Sequence, residues 1–272
     1  MKKFRPLKIV VLAAALLAGT AGADNKLFTY TYEPETEAKG DWELEQSVTA
    51  RLMRNSAVGQ KNYQRWEFRT EIEHGFTDRY TAALYLNDRL ERFTDAATGG
   101  PVSENRWTGV SLENRYLVLD PRNHPVGLTL YLEPTYDGNN AELEQKIIIG
   151  QRHGDWKWAV NVTHATEWTD HFRETEGELE LSVGLAWQPT RRWSFGVELR
   201  DHNELPHYTV WQNTAVYLGP VVGYHRQKWW ATLSVMPQIY GANFTGNPAG
   251  SPALELEGHE RLNVRLLVGF SF

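Results

Sequence analysis

Glutamate and arginine occupy alternate positions in several stretches of this 272-residue chain, and that spacing has a direct chemical reading. "DWELEQSVTARLM" carries Glu43, Glu45 and Arg51, while "NYQRWEFRTEIEH" carries Arg65, Glu67, Arg69, Glu71 and Glu73. The closing "RLNVRLLVGFSF" adds Arg261 and Arg265. A period of two places each set on one face of an extended strand. Such a face has two uses. It can line a passage and contact a polar solute, as rings of charged side chains do in pores. It can also form a ladder of ion pairs that keeps an enclosed space filled and hydrated. Because both signs occur on adjacent segments, the ladder is the simpler expectation. If the first, second and last segments are neighbours, Glu43, Glu45, Arg65, Glu67, Arg69, Glu71, Arg261 and Arg265 form one mixed-charge wall and the best candidate for a constriction.

Covalent catalysis would need a nucleophile within reach of a base, with an orienting partner. Ser111, Ser182, Ser194, His202 and His225 fall on the polar faces. None stands in G-x-S-x-G or H-E-x-x-H, so no catalytic residue is assigned. "HATEWTDH" (His164 to His171) offers two histidines and two acids near one loop that could hold a metal, yet loop histidines among carboxylates are common, and no metal is assigned. There is no cysteine, so disulfides and thiolate sites are impossible, and no cofactor is expected.

The elements that must position these faces are strands. Opposite Glu43 and Glu45 stand Trp42, Leu44, Val48 and Leu52; "GELELSVGLAW" and "RWSFGVELRDH" alternate in the same way. About twelve segments follow this pattern, near 41–53, 62–74, 79–92, 105–119, 125–135, 141–152, 156–168, 177–188, 192–202, 212–225, 229–241 and 260–272. Connections alternate between short turns ("GFTD", "DPRNHP", "HGD", "RQK") and longer loops, the fifth strand's short "DGNN" being the exception. Pro220 and Pro237 fall inside strands, which implies bulges or displaced boundaries. The aromatics gather beside the short turns: Trp42, Phe76, Tyr80, Tyr116, Trp156, Trp187, Trp193, Tyr224, Trp229 and Phe272. That is the girdle of a transmembrane barrel at one bilayer interface.

The N-terminus supplies a compartment. Lys2, Lys3, Arg5 and Lys8 precede "IVVLAAALLAG" and the small residues Ala21-Gly22-Ala23, the pattern of a cleaved signal peptide over 1–23. Its removal takes the net charge from -6 to about -10, and an acidic chain without a basic run excludes a nucleic-acid partner. Residues 24–40 show no alternation and are expected to be a periplasmic N-terminal segment, with the barrel over 41–272.

"LNVRLLVGFSF" resembles the C-terminal signal of Gram-negative outer-membrane β-barrels, alternating apolar residues that end on an aromatic. "EAKGDWELEQSVTAR" is similar to the opening of uncharacterised barrels grouped with the meta-pathway phenol-degradation proteins. The resemblance implies an outer-membrane location, contact with outer-membrane lipid, and delivery to the barrel-assembly machinery through the last strand. The expected fold is all-β, a transmembrane antiparallel up-and-down barrel of about twelve strands. The expected function is passage or binding of a small-molecule solute through a charged lumen. A lipid-modifying hydrolase and a structural or surface-interaction barrel are the alternatives, with catalysis the less favoured.

Overall fold

A computed structural model describes residues 26–54, 59–245 and 253–272; the signal peptide expected over 1–23 lies outside these residues. Twelve strands follow in order: β1 (Trp42–Leu52), β2 (Gln60–Thr77), β3 (Tyr80–Asp95), β4 (Pro101–Leu119), β5 (Gly127–Tyr136) and β6 (Ala141–His153), then β7 (Trp156–Thr169), β8 (Glu174–Trp187), β9 (Trp193–Pro206), β10 (Asn213–His225), β11 (Trp229–Asn243) and β12 (Leu262–Ser271). Each pairs antiparallel with its neighbours, and β1 closes on β12 to complete a barrel. The seam runs from Glu43 opposite Ser271 to Leu52 opposite Leu262. Closure leaves no unpaired edge, which is what allows strands to cross hydrocarbon. Among the described residues no helix is long and apolar enough to cross a membrane.

The alternation has a definite sense. Ile72, Leu84, Leu112, Leu130, Ile147, Val162, Leu181, Val197, Leu233 and Leu266 are all exposed, so the apolar face points outward. Glu43, Glu45, Glu71, Glu73, Glu113, Glu198 and Arg200 are buried and point inward. A water-soluble sandwich would show the reverse. Trp42, Phe76, Tyr116, Trp156, Trp187, Trp193, Trp229 and Phe272 are exposed beside the short turns, with Tyr80 and Tyr224 half-buried among them.

Boundaries depart from the sequence reading mainly at the long-loop end. β4 begins at Pro101 and β9 runs to Pro206, because polar residues continue the ladder above the apolar band. Pro220 and Pro237 do lie within β10 and β11. The pairing shifts register at Val216/Tyr217 and resumes at Val221 opposite Ser234, since proline offers no N–H to the ladder.

The segment before β1 is the main correction. Residues 26–38, expected in the periplasm, run inside the barrel, where Leu27, Phe28, Thr29, Tyr30 and Thr31 are buried. The chain enters at the short-turn end. There Lys39 N donates to Asp78 Oδ1 (3.2 Å), Gly40 N donates to Gly75 O (2.7 Å), and Gly75 N donates to Asp41 O (3.1 Å). Gly75 is required at this crossing, because a Cβ there would lie 2.1 Å from Ala38 O. The physical reason for the inward path is composition. Leu27, Phe28, Tyr30 and Tyr32 are costly to leave in water, and the lumen offers acceptors for the backbone between them.

Candidate functional site: a plugged, charged lumen

β9 and β11 hold the centre of the plug. Glu198, fully buried on β9, accepts four hydrogen bonds from three consecutive plug residues. Thr29 N (2.9 Å) and Thr29 Oγ1 (2.8 Å) donate to Oε2, while Tyr30 N and Thr31 N (both 2.9 Å) donate to Oε1. Successive N–H groups converging on one carboxylate form an anion-binding nest. Thr29 Oγ1 also lies 2.6 Å from Ser234 Oγ on β11. On β7, Asn161 completes a reciprocal pair: Tyr32 N donates to its Oδ1 (2.6 Å) and its Nδ2 donates to Tyr32 O (2.9 Å). Backbone that would be unsatisfied inside a barrel is thus paired with wall side chains.

The plug's aromatic rings meet cations of the wall. Tyr30 lies between the guanidinium groups of Arg265 (4.8 Å) and Arg200 (5.0 Å), and Lys146 Nζ sits 4.6 Å from the Tyr32 ring centre. Phe28 packs against Gly184 of β8, where a Cβ would come within 2.6 Å of its ring. With Leu27, Ala159, Ala186 and Val221, Phe28 builds a small apolar cluster in an otherwise polar interior.

Lys26 answers the acidic side of the lumen. Its Nζ is 2.6 Å from Glu45, 3.8 Å from Glu71 and 4.0 Å from Glu73. Glu71, Glu73 and Glu113 form a buried acidic group whose second cation is Arg115, paired with Glu73 and, at 2.6 Å, with Glu113. A cavity of about 20 Å³ remains beside Lys26, Tyr32, Glu45, Arg115 and Arg265, room for about one water.

The proposed constriction wall is only partly assembled. Glu43, Glu45 and Glu71 are buried, with Glu43 accepting from Trp230 Nε1 (3.1 Å) and Ser271 Oγ (2.9 Å). Higher up, Arg65 pairs with Glu67 (3.3 Å), Glu67 with Arg51 (3.0 Å), and Arg69 with Glu133 of β5 (2.6 Å). Arg265 faces Tyr30. Arg261 does not join them: it precedes β12 at the long-loop end and its side chain is exposed. The wall is therefore an ion-pair ladder, and the plug is what fills the space it encloses. Sequence reasoning missed Lys26, Thr29, Tyr30, Tyr32, Asn161 and Ser234 as members of this site. The available signal was "LFTYTY", an aromatic, alternating run that an open periplasmic linker would not carry.

The mouth at the opposite end is covered by the stretch before β12. Glu255 N donates to Gln238 Oε1 and Gln238 Nε2 returns to Glu255 O (both 2.7 Å), while Tyr217 Oη donates to Glu260 O (3.0 Å). The Glu255 carboxylate accepts from the backbone N–H groups of Glu257, Gly258 and His259. Burial pushes its pKa up despite these donors. His259 is buried against Asn213, with Nε2 2.9 Å from Asn213 Oδ1. Burial, then the nearby His202, Arg200, Arg51 and Arg54, hold its imidazole well below the usual histidine range.

The residues singled out for catalysis and for metal behave differently from each other. Ser111, Ser182, Ser194, His202 and His225 are all buried on the inner face. Ser194 Oγ and His225 Nε2 come within 3.0 Å, but among the described residues His225 Nδ1 has no hydrogen-bond partner to orient it. His164 and His171 are not brought together as ligands: His164 lies against Tyr208, while His171 is exposed in the loop after β7.

Comparison with solved structures gives the same architecture. The NanC porin is 10% identical with a TM-score of 0.52, the match covering 84% of this chain and 98% of that one. The KdgM porin is 10% identical with a TM-score of 0.50, over 85% and 99% of the two chains. At this identity the likeness establishes a shared fold. No curated protein matches the sequence. A family model does, over residues 20–149 and 149–272, and the chain belongs to that family, a family of unknown function designated DUF6662.

Proposed function

We propose that the protein is an outer-membrane channel for a small polar solute, shut in the state described here by its own N-terminal segment. One observation carries this reading. The lumen is filled by a stretch of chain held through hydrogen bonds, ion pairs and ring contacts, rather than by the side chains of the wall alone. Withdrawing residues 26–38 would free the space they fill between Glu45, Asn161, Glu198, Arg200 and Arg265, below the cover formed by the stretch before β12. Barrels of this strand number lie between eight-stranded ones packed with side chains and wide 16–18-stranded pores. The porin fold shared with NanC and KdgM supports the reading, and a structure of the KdgM porin is described as a complex with disordered oligogalacturonate. The outward apolar face and its aromatic border support placement in outer-membrane lipid, reached through the assembly machinery that reads the last strand.

Catalysis is not part of the proposal, since Ser194 and His225 pair at 3.0 Å without an orienting acid. The test is solute entry into proteoliposomes, using neutral sugars of graded size. The wild type and a variant with a loosened plug, Glu198→Gln with Asn161→Ala, are compared. Faster entry in the variant, with a size cut-off, supports the channel. Equal, negligible entry in both, with amide exchange showing the plug released, refutes it.

A further inference from the structure

We propose that His202, Glu204 and His259 form a binding site for a divalent transition metal of the Zn²⁺ class, which ties the segment before β12 to the barrel wall. The three residues each present one ligand atom, all within 4.8 Å of one another. They come from two places remote in sequence: His202 and Glu204 from the upper end of β9, and His259 from the segment folded over the mouth. Alternate residues of a strand normally share a face, so His202 and Glu204 point the same way. His259 Nε2 approaches Glu204 Oε1 to 4.0 Å, and the two imidazole rings meet edge to face at 5.1 Å between centres.

The donor set selects the ion. Two imidazole nitrogens and one carboxylate suit Zn²⁺, Ni²⁺ or Cu²⁺, whereas Ca²⁺ and Mg²⁺ require a shell of oxygens. Both histidines are buried, which removes competing water and fixes their rings. Groups around them are placed to orient the ligands. His202 Nδ1 lies 3.3 Å from Glu180 Oε2, and in the tautomer that donates this hydrogen bond Nε2, 3.8 Å from Glu178 Oε1, presents its lone pair. Arg200 Nη2 also reaches that nitrogen at 3.2 Å, but its charge is engaged by Glu180 at 2.7 Å. Asn213 Nδ2 donates to Glu204 Oε2 at 2.6 Å, holding the carboxylate and leaving Oε1 toward His259. Partners of this kind are what metal-ligating histidines and carboxylates ordinarily carry. Gly258 leaves the space beside Glu204 open, since a Cβ there would lie 3.1 Å from Glu204 Oε2. Glu178, Glu180, Glu204 and Glu255 lie about the ligands, against the positive charges of Arg200, Arg51 and Arg54.

Binding exchanges one contact. His259 Nε2 gives up its bond to Asn213 Oδ1, its proton moves to Nδ1 of the same ring, and the freed Nε2 lone pair takes the metal. The neutral amide oxygen of Asn213 or a water then completes four-coordination.

The experiment uses the full chain refolded in detergent, stripped with a chelator and titrated with Zn²⁺ by calorimetry. One saturable site is expected, with His259→Gln and His202→Gln each weakening it at least about 100-fold. His225→Gln, at the other end of the lumen, should bind as wild type. Zn²⁺ should bind in the presence of excess Ca²⁺. Absence of a saturable site, or binding by His259→Gln equal to wild type, overturns the proposal. Should the variants misfold, X-ray absorption of the Zn²⁺-loaded wild type decides. Two imidazoles per metal support the site, and none or one contradicts it.

Discussion

Replacing Glu198 by glutamine isolates the contact that holds the plug. The side chain keeps its shape and place in β9, and Oε1 still accepts from the N–H groups of Tyr30 and Thr31. The change falls on Oε2, which becomes an NH₂ facing two donors, Thr29 N–H and Thr29 Oγ–H. The hydroxyl can rotate, accept from the new amide and donate to Ser234 Oγ 2.6 Å away. The backbone N–H of Thr29 cannot, and it is left opposed to a donor in a buried site. Losing one bond to a charged acceptor amounts to about 1.5–3 kcal/mol, and the remaining two bonds lose their charge assistance. The expected weakening of the plug is therefore about 2–4 kcal/mol, or roughly 30- to 1000-fold in its released population. Amide hydrogen exchange reads this directly, because release exposes the N–H groups of Thr29, Tyr30 and Thr31. Exchange at these three should quicken by that factor while the β1–β12 seam keeps its protection. Unchanged exchange at 29–31 would refute the reasoning, as would an equal increase throughout the barrel, which would mark loss of the fold instead.

Gly184→Ala should release the plug by another route, because the new methyl would press on the Phe28 ring at 2.6 Å; faster exchange at Phe28 with an intact barrel is the expected result. The cover over the mouth should loosen in acid. His259 has a folded pKa below its unfolded value near 6.5, so its contribution is present above that value and is lost as pH falls below it. Glu255, shifted upward by burial, acts in the opposite sense above 4.5, so the histidine term is isolated by comparison with His259→Gln, whose proteolysis within 253–261 should lack the rise below pH 6.5. Leu112→Arg places a charge on the exposed outer face and should destabilise the barrel in bilayers by about 2–4 kcal/mol if it lies near the midplane, read by denaturant titration.

The barrel was legible because alternation is a local property: Leu44, Val48 and Leu52 against Glu43, Glu45 and Arg51 declare a strand with two unlike faces. The closing seam was legible too, since only β1 and β12 lack a sequence neighbour on one side. The plug was not, because its six central residues have no ladder of their own, and the groups that bind them, Glu198, Asn161 and Ser234, lie far away in sequence. His202 and His259 were separated in the same way, and only the fold of the last connection brings them together. Arg261 illustrates the converse: its place in the alternating pattern was clear, but the strand begins one residue after it and leaves its side chain outside.

If residues 26–38 close a conducting lumen, fastening them to the wall should hold it shut. The chain contains no cysteine, so a Thr29→Cys, Ser234→Cys pair can be introduced where the two hydroxyl oxygens are 2.6 Å apart, in the Glu198→Gln background that loosens the plug. Single-channel recording in planar bilayers is then made before and after reduction. Silence is expected while the disulfide holds, and discrete openings once it is reduced. Silence in both states, or the same conductance in both, would contradict it.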